Sequence, residues 1–241
     1  MEEALKSFSR LEIDEVVKRL ANSERVLIIF HVNPDGDAVG SAFALRHALC
    51  ELGKTAWCVC SNEVPERLAF AVGETQHSVH IDAIPCDFEP DLVVSVDTAS
   101  PSQLGALCDV YAGKIDIMID HHGKGTPYAD NYIVSEASSS GEVLYPILSE
   151  LYSLYEMELS RDVCELIYVA VSSDTGCFRY SNVSPYTHTL AASLIERGVN
   201  GAEINHKLFG IKSLKQMQVE HAGFERMNLY RGGRIAVINF P

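Results

Sequence analysis

The stretch RVLIIFHVNPDGDAVG, from Arg25 to Gly40, decides the fold. Its first part is an apolar run that ends at His31, as is typical of a strand buried on both faces. Pro34 keeps the following residues out of the strand, and a helix is predicted from about residue 38 to 52, with Gly53 as its C-terminal cap. A buried strand, a turn and a helix form the repeating unit of parallel α/β proteins.

The same alternation continues on both sides of this stretch. An apolar face on Ile13, Val16, Val17 and Leu20 predicts a first helix that ends near Asn22. Further strands are predicted at Thr55–Cys60, Leu92–Val96 and Ile115–Ile119, and a short helix at Pro101. Later helices are predicted at Gly141–Tyr152, Ser160–Ser172, Pro185–Arg197, Gly201–Phe209 and Ser213–Leu229, before a strand at Gly233–Phe240. The pattern predicts an α/β fold with a doubly wound, mostly parallel sheet flanked by helices, followed by a helical segment.

Composition narrows the class of protein. The 241 residues are 47% hydrophobic and 22% charged, which is ordinary for a globular protein. A net charge of -14 repels polyanions, so any nucleic-acid substrate needs metal ions or a local basic patch. The seven cysteines fit neither a zinc ribbon nor a disulfide framework. With no signal peptide or apolar span in the sequence, we predict a cytoplasmic protein without membrane association.

Acidic and histidine residues follow the first strand in HVNPDGD. Gly36 allows a tight turn in which Asp35 and Asp37 point to one place, near the positive N-terminus of the next helix. The same residues also make a good turn sequence in which Asp37 caps the helix. This segment alone leaves both interpretations open.

Three more acidic segments follow apolar runs. Asp97 ends VVSVD, where it could also cap the next helix. The triplet 120–122, Asp-His-His, follows IDIMI; one histidine can bind a metal while the other faces a substrate, and Asp120 can orient His121. Asp174 ends the apolar helix ELIYVAVSS, where a carboxylate is unfavourable and a cation would offset the cost.

These four segments, in this order, resemble the motifs of the DHH phosphoesterase superfamily. The run SSDTGCFRYSNVSPYTH, from Ser172 to His188, resembles its branch of RecJ-like nanoRNases and 3′-phosphoadenosine 5′-phosphate phosphatases. The resemblance covers residues 1 to about 230. It implies a DHH catalytic α/β domain at 1–190, a helical linker region at 191–230, and at 231–241 the start of a DHHA1 domain that is truncated or absent.

The resemblance also implies a two-metal site. One ion would be held by His31, Asp35 and Asp97, and the other by Asp37, Asp97, His121 and Asp174. Carboxylate and imidazole ligands suit Mn²⁺, with Mg²⁺ or Co²⁺ as alternatives. His122 would contact the phosphate or assist the leaving oxygen, and Asp120 would orient the histidines. Arg179 and the serine run 138–140, with Ser139 at its centre, are candidate substrate contacts.

The implied activity is metal-dependent phosphoester hydrolysis. The substrates would be short single-stranded oligonucleotides or linear dinucleotides, cleaved to mononucleotides, or adenosine 3′,5′-bisphosphate, cleaved to AMP. A manganese-dependent inorganic pyrophosphatase and a non-catalytic DHH scaffold domain are alternatives. The SSDTGCFRYS context disfavours the pyrophosphatase, and the filled ligand positions disfavour the scaffold. The oligomeric state stays open, with a homodimer as one option.

Overall fold

The computed structural model describes residues 8–73 and 84–239, and the chain divides into two compact units, Met1–Leu208 and Phe209–Pro241. The elements of the first unit are α1 (Ile13–Asn22), β1 (Arg25–Phe30), α2 (Gly36–Glu51), β2 (Thr55–Val59), α3 (Ala69–Val72), β3 (Leu92–Val96), α4 (Cys108–Tyr111), β4 (Ile117–Asp120), β5 (Asp130–Ile133), α5 (Ser140–Ser153), α6 (Arg161–Asp174), α7 (Pro185–Glu196) and α8 (Gly201–Asn205). Short 3₁₀ segments lie at Glu66–Leu68 and Pro101–Leu107. Along the described residues, no helix has the length and apolar character that a bilayer crossing requires.

The sheet of the first unit is parallel throughout, with the strand order β2-β1-β3-β4-β5. Alternate side chains of β1 enter two cores: Val26, Ile28 and Phe30 pack on one face, and Leu27 and Ile29 on the other. This arrangement confirms the predicted doubly wound α/β fold. Because β1, β3 and β4 are neighbours, the segments that follow them meet at one edge of the sheet.

The edge strand β5 was not predicted from sequence. It begins with Asp130 and Asn131, residue types that are depleted in strands. The main chain of Asn131 exchanges hydrogen bonds with Ser9 and Leu11, so an N-terminal segment borders this strand. β5 therefore forms through contacts with a distant part of the sequence, although its first two residues disfavour a strand.

The second unit contains α9 (Leu214–Glu225) and an antiparallel pair, β6 (Met227–Tyr230) and β7 (Ile235–Ile238). The predicted helix Ser213–Leu229 is therefore wrong beyond Glu225. The predicted strand at 233–240 is confirmed as β7, and its residue 240 lies outside the described residues. The division predicted from sequence, at residues 190 and 230, stays a prediction.

Close helix packing brings the ends of α2 and α6 together. A Cβ atom at Gly40 would lie 2.6 Å from the carbonyl oxygen of Leu166 and 2.7 Å from the backbone nitrogen of Ala170. Both neighbours are main-chain atoms of α6, so they cannot move aside as a flexible side chain would. Gly40 thereby sets the distance between the two helices.

We expect Gly40→Ala to lower the free energy of unfolding by about 1–3 kcal/mol, because the added methyl group forces α2 and α6 apart. Chemical denaturation followed by circular dichroism measures the change. Gly113→Ala is the matched control, because a Cβ there meets nothing within 4 Å. Equal stabilities of the two variants would contradict the packing argument.

Candidate metal centre

The loop between β1 and α2 carries His31 and Asp35, and Asp37 lies in the first turn of α2. Asp35 is the N-cap: its Oδ1 accepts hydrogen bonds from the backbone N–H groups of Asp37 and Ala38, each at 3.0 Å. The alternative in which Asp37 caps the helix is therefore wrong. Asp37 instead points its carboxylate into the protein, where it is buried.

Gly36 is required by close packing. A Cβ atom at this position would lie 2.4 Å from the Oγ of Ser173, near the end of α6. The start of α2 can therefore approach the end of α6, and this approach places Asp37 beside Asp174. The tight turn expected at Gly36 from sequence is the first turn of the helix itself.

Asp97 follows β3 in a left-handed backbone conformation, with φ at 56°. This conformation costs a residue with a Cβ atom about 1 kcal/mol or more. Its backbone N–H donates to the carbonyl oxygen of Ile119 on the neighbouring strand β4. The N-cap of the next helical segment is Ser100, so Asp97 does not cap it. Asp97 thus combines an unfavourable backbone conformation with a buried carboxylate, a combination that is common at functional sites.

Asp120 ends β4 and holds the two histidines that follow it. Its Oδ1 accepts hydrogen bonds from the backbone N–H of His121, at 2.7 Å, and from that of His122, at 3.2 Å. It also contacts Nδ1 of the His122 ring at 2.8 Å. The expectation that Asp120 orients the His121 ring is corrected, because the ring that it holds is that of His122.

Main-chain carbonyl groups orient the other two imidazole rings. Nδ1 of His31 donates to the carbonyl oxygen of Val32 at 2.7 Å, and Nδ1 of His121 donates to that of Ala137 at 3.3 Å. This arrangement leaves Nε2 of both rings directed at carboxylates. A hydrogen bond at one ring nitrogen commonly fixes the other as a metal ligand.

Asp97 lies between two groups of potential ligands. Its Oδ2 is 3.4 Å from Nε2 of His31, and its Oδ1 is 3.7 Å from Nε2 of His121. One of these groups is His31, Asp35 and Asp97, and the other is Asp37, His121 and Asp174; within each the ligand atoms lie within 4.8 Å of one another, as they also do among Asp97, Asp120, His121 and His122. The structure thus brings together all six residues that the sequence predicted as ligands.

The electrostatics of this cluster favour a cation. Asp37, Asp97 and Asp120 are 1%, 2% and 0% exposed, and among the described residues they form no ion pair with a lysine or arginine. Burial, and then the charges of neighbouring aspartates, raise the pKa of Asp37 far above its usual range. Oδ2 of Asp120 is buried without a hydrogen-bond partner. Divalent cations would offset these costs, so the residues present fit such ions.

The imidazole groups respond to the same carboxylates. Burial lowers the pKa of His31, but hydrogen bonds with Asp35 and Asp97 outweigh it and raise the pKa to about 11. The hydrogen bond with Asp120 raises the pKa of His122 to about 9, against the opposing effect of burial. In both cases neighbouring carboxylates cause the upward shift, so the cluster favours a positive charge.

The N-terminal turn of α5 supports two of the carboxylates. The backbone N–H groups of Ser140 and Gly141 donate to Asp37 at 2.7 and 3.1 Å. The hydroxyl group of Ser140 donates to Oδ1 of Asp97 at 2.9 Å, and that of Ser41 donates to Asp37 at the same distance. The serine run was predicted to present amides to a phosphate, whereas the amides of Ser140 and Gly141 bind a carboxylate.

Ser139 and Arg179 are the two residues that were predicted to contact a substrate. Ser139 is buried, and its hydroxyl oxygen accepts a hydrogen bond from the backbone of Glu142 as the N-cap of α5. Arg179 is exposed, and its Nε donates to the carbonyl oxygen of Gly176. Their contact with a substrate stays a prediction. Sequence reasoning missed Ser41, Ser140 and Asn182 as supports of the carboxylates. Ser140 is distant in sequence from Asp97, and the direction of the Ser41 and Asn182 side chains is visible only in the folded chain.

The fold and this cluster define a class of protein: a parallel α/β domain with a carboxylate and imidazole centre at the carboxyl edge of its sheet. Residues 25–171 match the model of the DHH family, N-terminal domain. This chain therefore belongs to the DHH family.

Several known proteins are similar to this chain. The bifunctional oligoribonuclease and PAP phosphatase NrnA of Thermus thermophilus is 30% identical, over 81% of this chain and 56% of the relative. A probable manganese-dependent inorganic pyrophosphatase of Lactobacillus gasseri is 27% identical, over 78% of this chain and 58% of the relative. An exopolyphosphatase-related protein from Bacteroides fragilis has a similar fold, with a TM-score of 0.80 at 23% identity, covering 90% of this chain and 66% of that one. This chain thus spans little more than half the length of the Thermus thermophilus and Lactobacillus gasseri relatives.

Proposed function

We propose that this chain is the catalytic domain of a metal-dependent phosphoesterase. Its substrates are short oligonucleotides or linear dinucleotides, cleaved to mononucleotides, and adenosine 3′,5′-bisphosphate, cleaved to AMP. The observation that carries this proposal is the position of Asp97, whose two carboxylate oxygens face two different groups of ligands. If cations were bound, a carboxylate in this position would serve as a ligand in both groups.

Each group of ligands has the composition that a divalent cation requires. His31, Asp35 and Asp97 would hold one ion, and Asp37, Asp97, His121 and Asp174 the other. Mn²⁺ is the proposed ion, with Mg²⁺ and Co²⁺ as alternatives, because the donors are carboxylate oxygens and imidazole nitrogens without thiolates. Cations held by these residues would supply Lewis acidity to a phosphoryl group and would lower the pKa of a water molecule.

The remaining groups of the chain act on the substrate and on the ligands. His122 has a side chain that is 42% exposed, so it can donate a hydrogen bond to a phosphoryl or leaving oxygen. Asp120 holds that ring through Nδ1 and leaves Nε2 for the substrate. The amides of α5 keep Asp37 in position and favour its charged form, since they lie at the positive end of a helix.

The choice of substrate rests on the relatives and on charge. The Thermus thermophilus relative is named as an oligoribonuclease and PAP phosphatase, and a net charge of -14 favours small anionic substrates over long polyanions. The Lactobacillus gasseri relative makes pyrophosphate hydrolysis the second candidate.

A cytoplasmic location is proposed from the seven cysteines, all free in the structure. A homodimer is the proposed oligomeric state that light scattering tests.

Removal of the cations tests the proposal directly. We expect protein treated with EDTA to lose its hydrolysis of bis(para-nitrophenyl) phosphate, and added Mn²⁺ to restore it. With Mn²⁺ present, a dinucleotide, adenosine 3′,5′-bisphosphate and pyrophosphate are then compared by product analysis. Titration calorimetry of the cation-free protein should give two Mn²⁺ ions per chain.

Three results of this experiment have distinct meanings. Turnover of pyrophosphate alone would replace the proposed function by the pyrophosphatase. Two bound Mn²⁺ ions without turnover of any of the four substrates would support a non-catalytic domain. Binding of no Mn²⁺ would overturn the metal centre itself.

A further inference from the structure

The segment that follows Asp174 folds back on itself in an unusual conformation. Gly176, Cys177 and Phe178 all have positive φ angles, of 55°, 61° and 61°. Two of these residues carry side chains, and a left-handed conformation is unfavourable for both. Hydrogen bonds from the backbone N–H groups of Arg179 and Tyr180 to the carbonyl oxygen of Thr175 close the turn. The turn reverses the chain beside the metal centre.

Asn182, just beyond this turn, connects two elements of the centre. Its Nδ2 donates to the carbonyl oxygen of Ser138 at 2.9 Å, immediately before α5. The same nitrogen lies 3.2 Å from the carbonyl oxygen of Asp174 and 3.4 Å from its Oδ2. One amide group thus joins the end of α6 to the start of α5.

Asp174 has a greater need of such support than Asp37. Asp37 is buried and accepts hydrogen bonds from two backbone amides and one hydroxyl group. The side chain of Asp174 is 30% exposed and lies at the C-terminus of α6, where the helix dipole opposes a negative charge. Its Oδ2 nevertheless lies 3.7 Å from Nε2 of His121, in the geometry of the second ligand group.

We propose that Asn182 is a positioning residue that holds Asp174 against the start of α5, so that binding of one of the two cations depends on it. This inference rests on the proposed function, because it assumes that the group of Asp37, His121 and Asp174 binds a cation. Residues that orient metal ligands commonly change metal affinity about 10–100-fold when they are replaced.

A purely structural role would give a different result. Asn182 also bonds two main-chain carbonyl oxygens, so its replacement could lower stability without affecting the cation. Asn200→Ala is the matched control: Asn200 is also exposed, and it caps α8 through a hydrogen bond from the backbone of Glu203. Loss of that cap lowers stability at a site outside the metal centre.

The experiment titrates Mn²⁺ into the cation-free full chain and its variants by calorimetry, with thermal unfolding measured in parallel. We expect Asn182→Ala to retain one Mn²⁺ site and to weaken the other about 10–100-fold. Asn182→Leu, which keeps volume but has no donor, should do the same. Asn200→Ala should lower the unfolding temperature and leave both Mn²⁺ affinities unchanged.

The outcomes separate this inference from the proposed function. If the wild-type chain binds no Mn²⁺, the proposed function fails and the inference fails with it. If the wild-type chain binds two ions and both Asn182 variants bind them equally well, only the inference is overturned. Weakening of Mn²⁺ binding by Asn200→Ala to the same extent would also overturn it, because the effect would then follow stability alone.

Discussion

Asp97→Asn is expected to lower kcat for a phosphodiester on the order of a thousandfold or more. The two oxygens of Asp97 face the ligand groups of His31 and His121, so the loss of its negative charge weakens both. Calorimetry should show fewer than two Mn²⁺ ions per chain. The cation-free variant should be at least as stable as the wild type, because it no longer buries a charge beside Asp37.

Asp91→Asn is the matched control for this variant. Asp91 lies immediately before β3, at the opposite end of the strand that Asp97 follows, and it accepts hydrogen bonds from the backbone of Glu24 and Arg25. It should keep normal Mn²⁺ binding and turnover. Full activity of Asp97→Asn with two bound ions would show that this carboxylate is not shared between them.

His122→Ala is expected to lower kcat about a hundredfold to ten-thousandfold without changing the number of bound Mn²⁺ ions. The reason lies in the contacts of the ring. Its Nδ1 is bonded to Asp120, and its exposed side chain can offer Nε2 to a substrate. His31 and His121, in contrast, direct Nε2 at carboxylates. Steady-state kinetics and calorimetry on the same preparation measure both quantities.

His47→Ala is the control for this prediction, since His47 lies on α2 far along the helix from Asp37 and is half-buried. It should retain kcat. A loss of one Mn²⁺ ion in His122→Ala would make His122 a ligand and would contradict its assignment to the substrate. Unchanged turnover would remove it from the reaction altogether.

Much of the fold follows from local patterns. The strands β1 and β3 are largely apolar runs, and α2 begins after a turn sequence that contains Pro34 and Gly36. The edge strand β5 lacked such a pattern, because it begins with Asp130 and Asn131 and is formed by pairing with a distant segment. At the end of α9, the sequence continued in a helical pattern as far as Leu229, but the pairing of β6 with β7 ends the helix earlier.

The sequence by itself predicted which side chains belong to the centre, through four segments whose order resembles the DHH motifs. Each segment alone, with an aspartate or histidine at a strand or helix end, left other interpretations open. Only the tertiary structure decided how these side chains are held. In the folded chain Asp120 is bonded to the His122 ring, the amides of α5 donate to Asp37, and Asn182 lies beside Asp174. The physical reason is that hydrogen bonds between distant segments depend on packing distances, such as those set by Gly36 and Gly40, which no local pattern encodes.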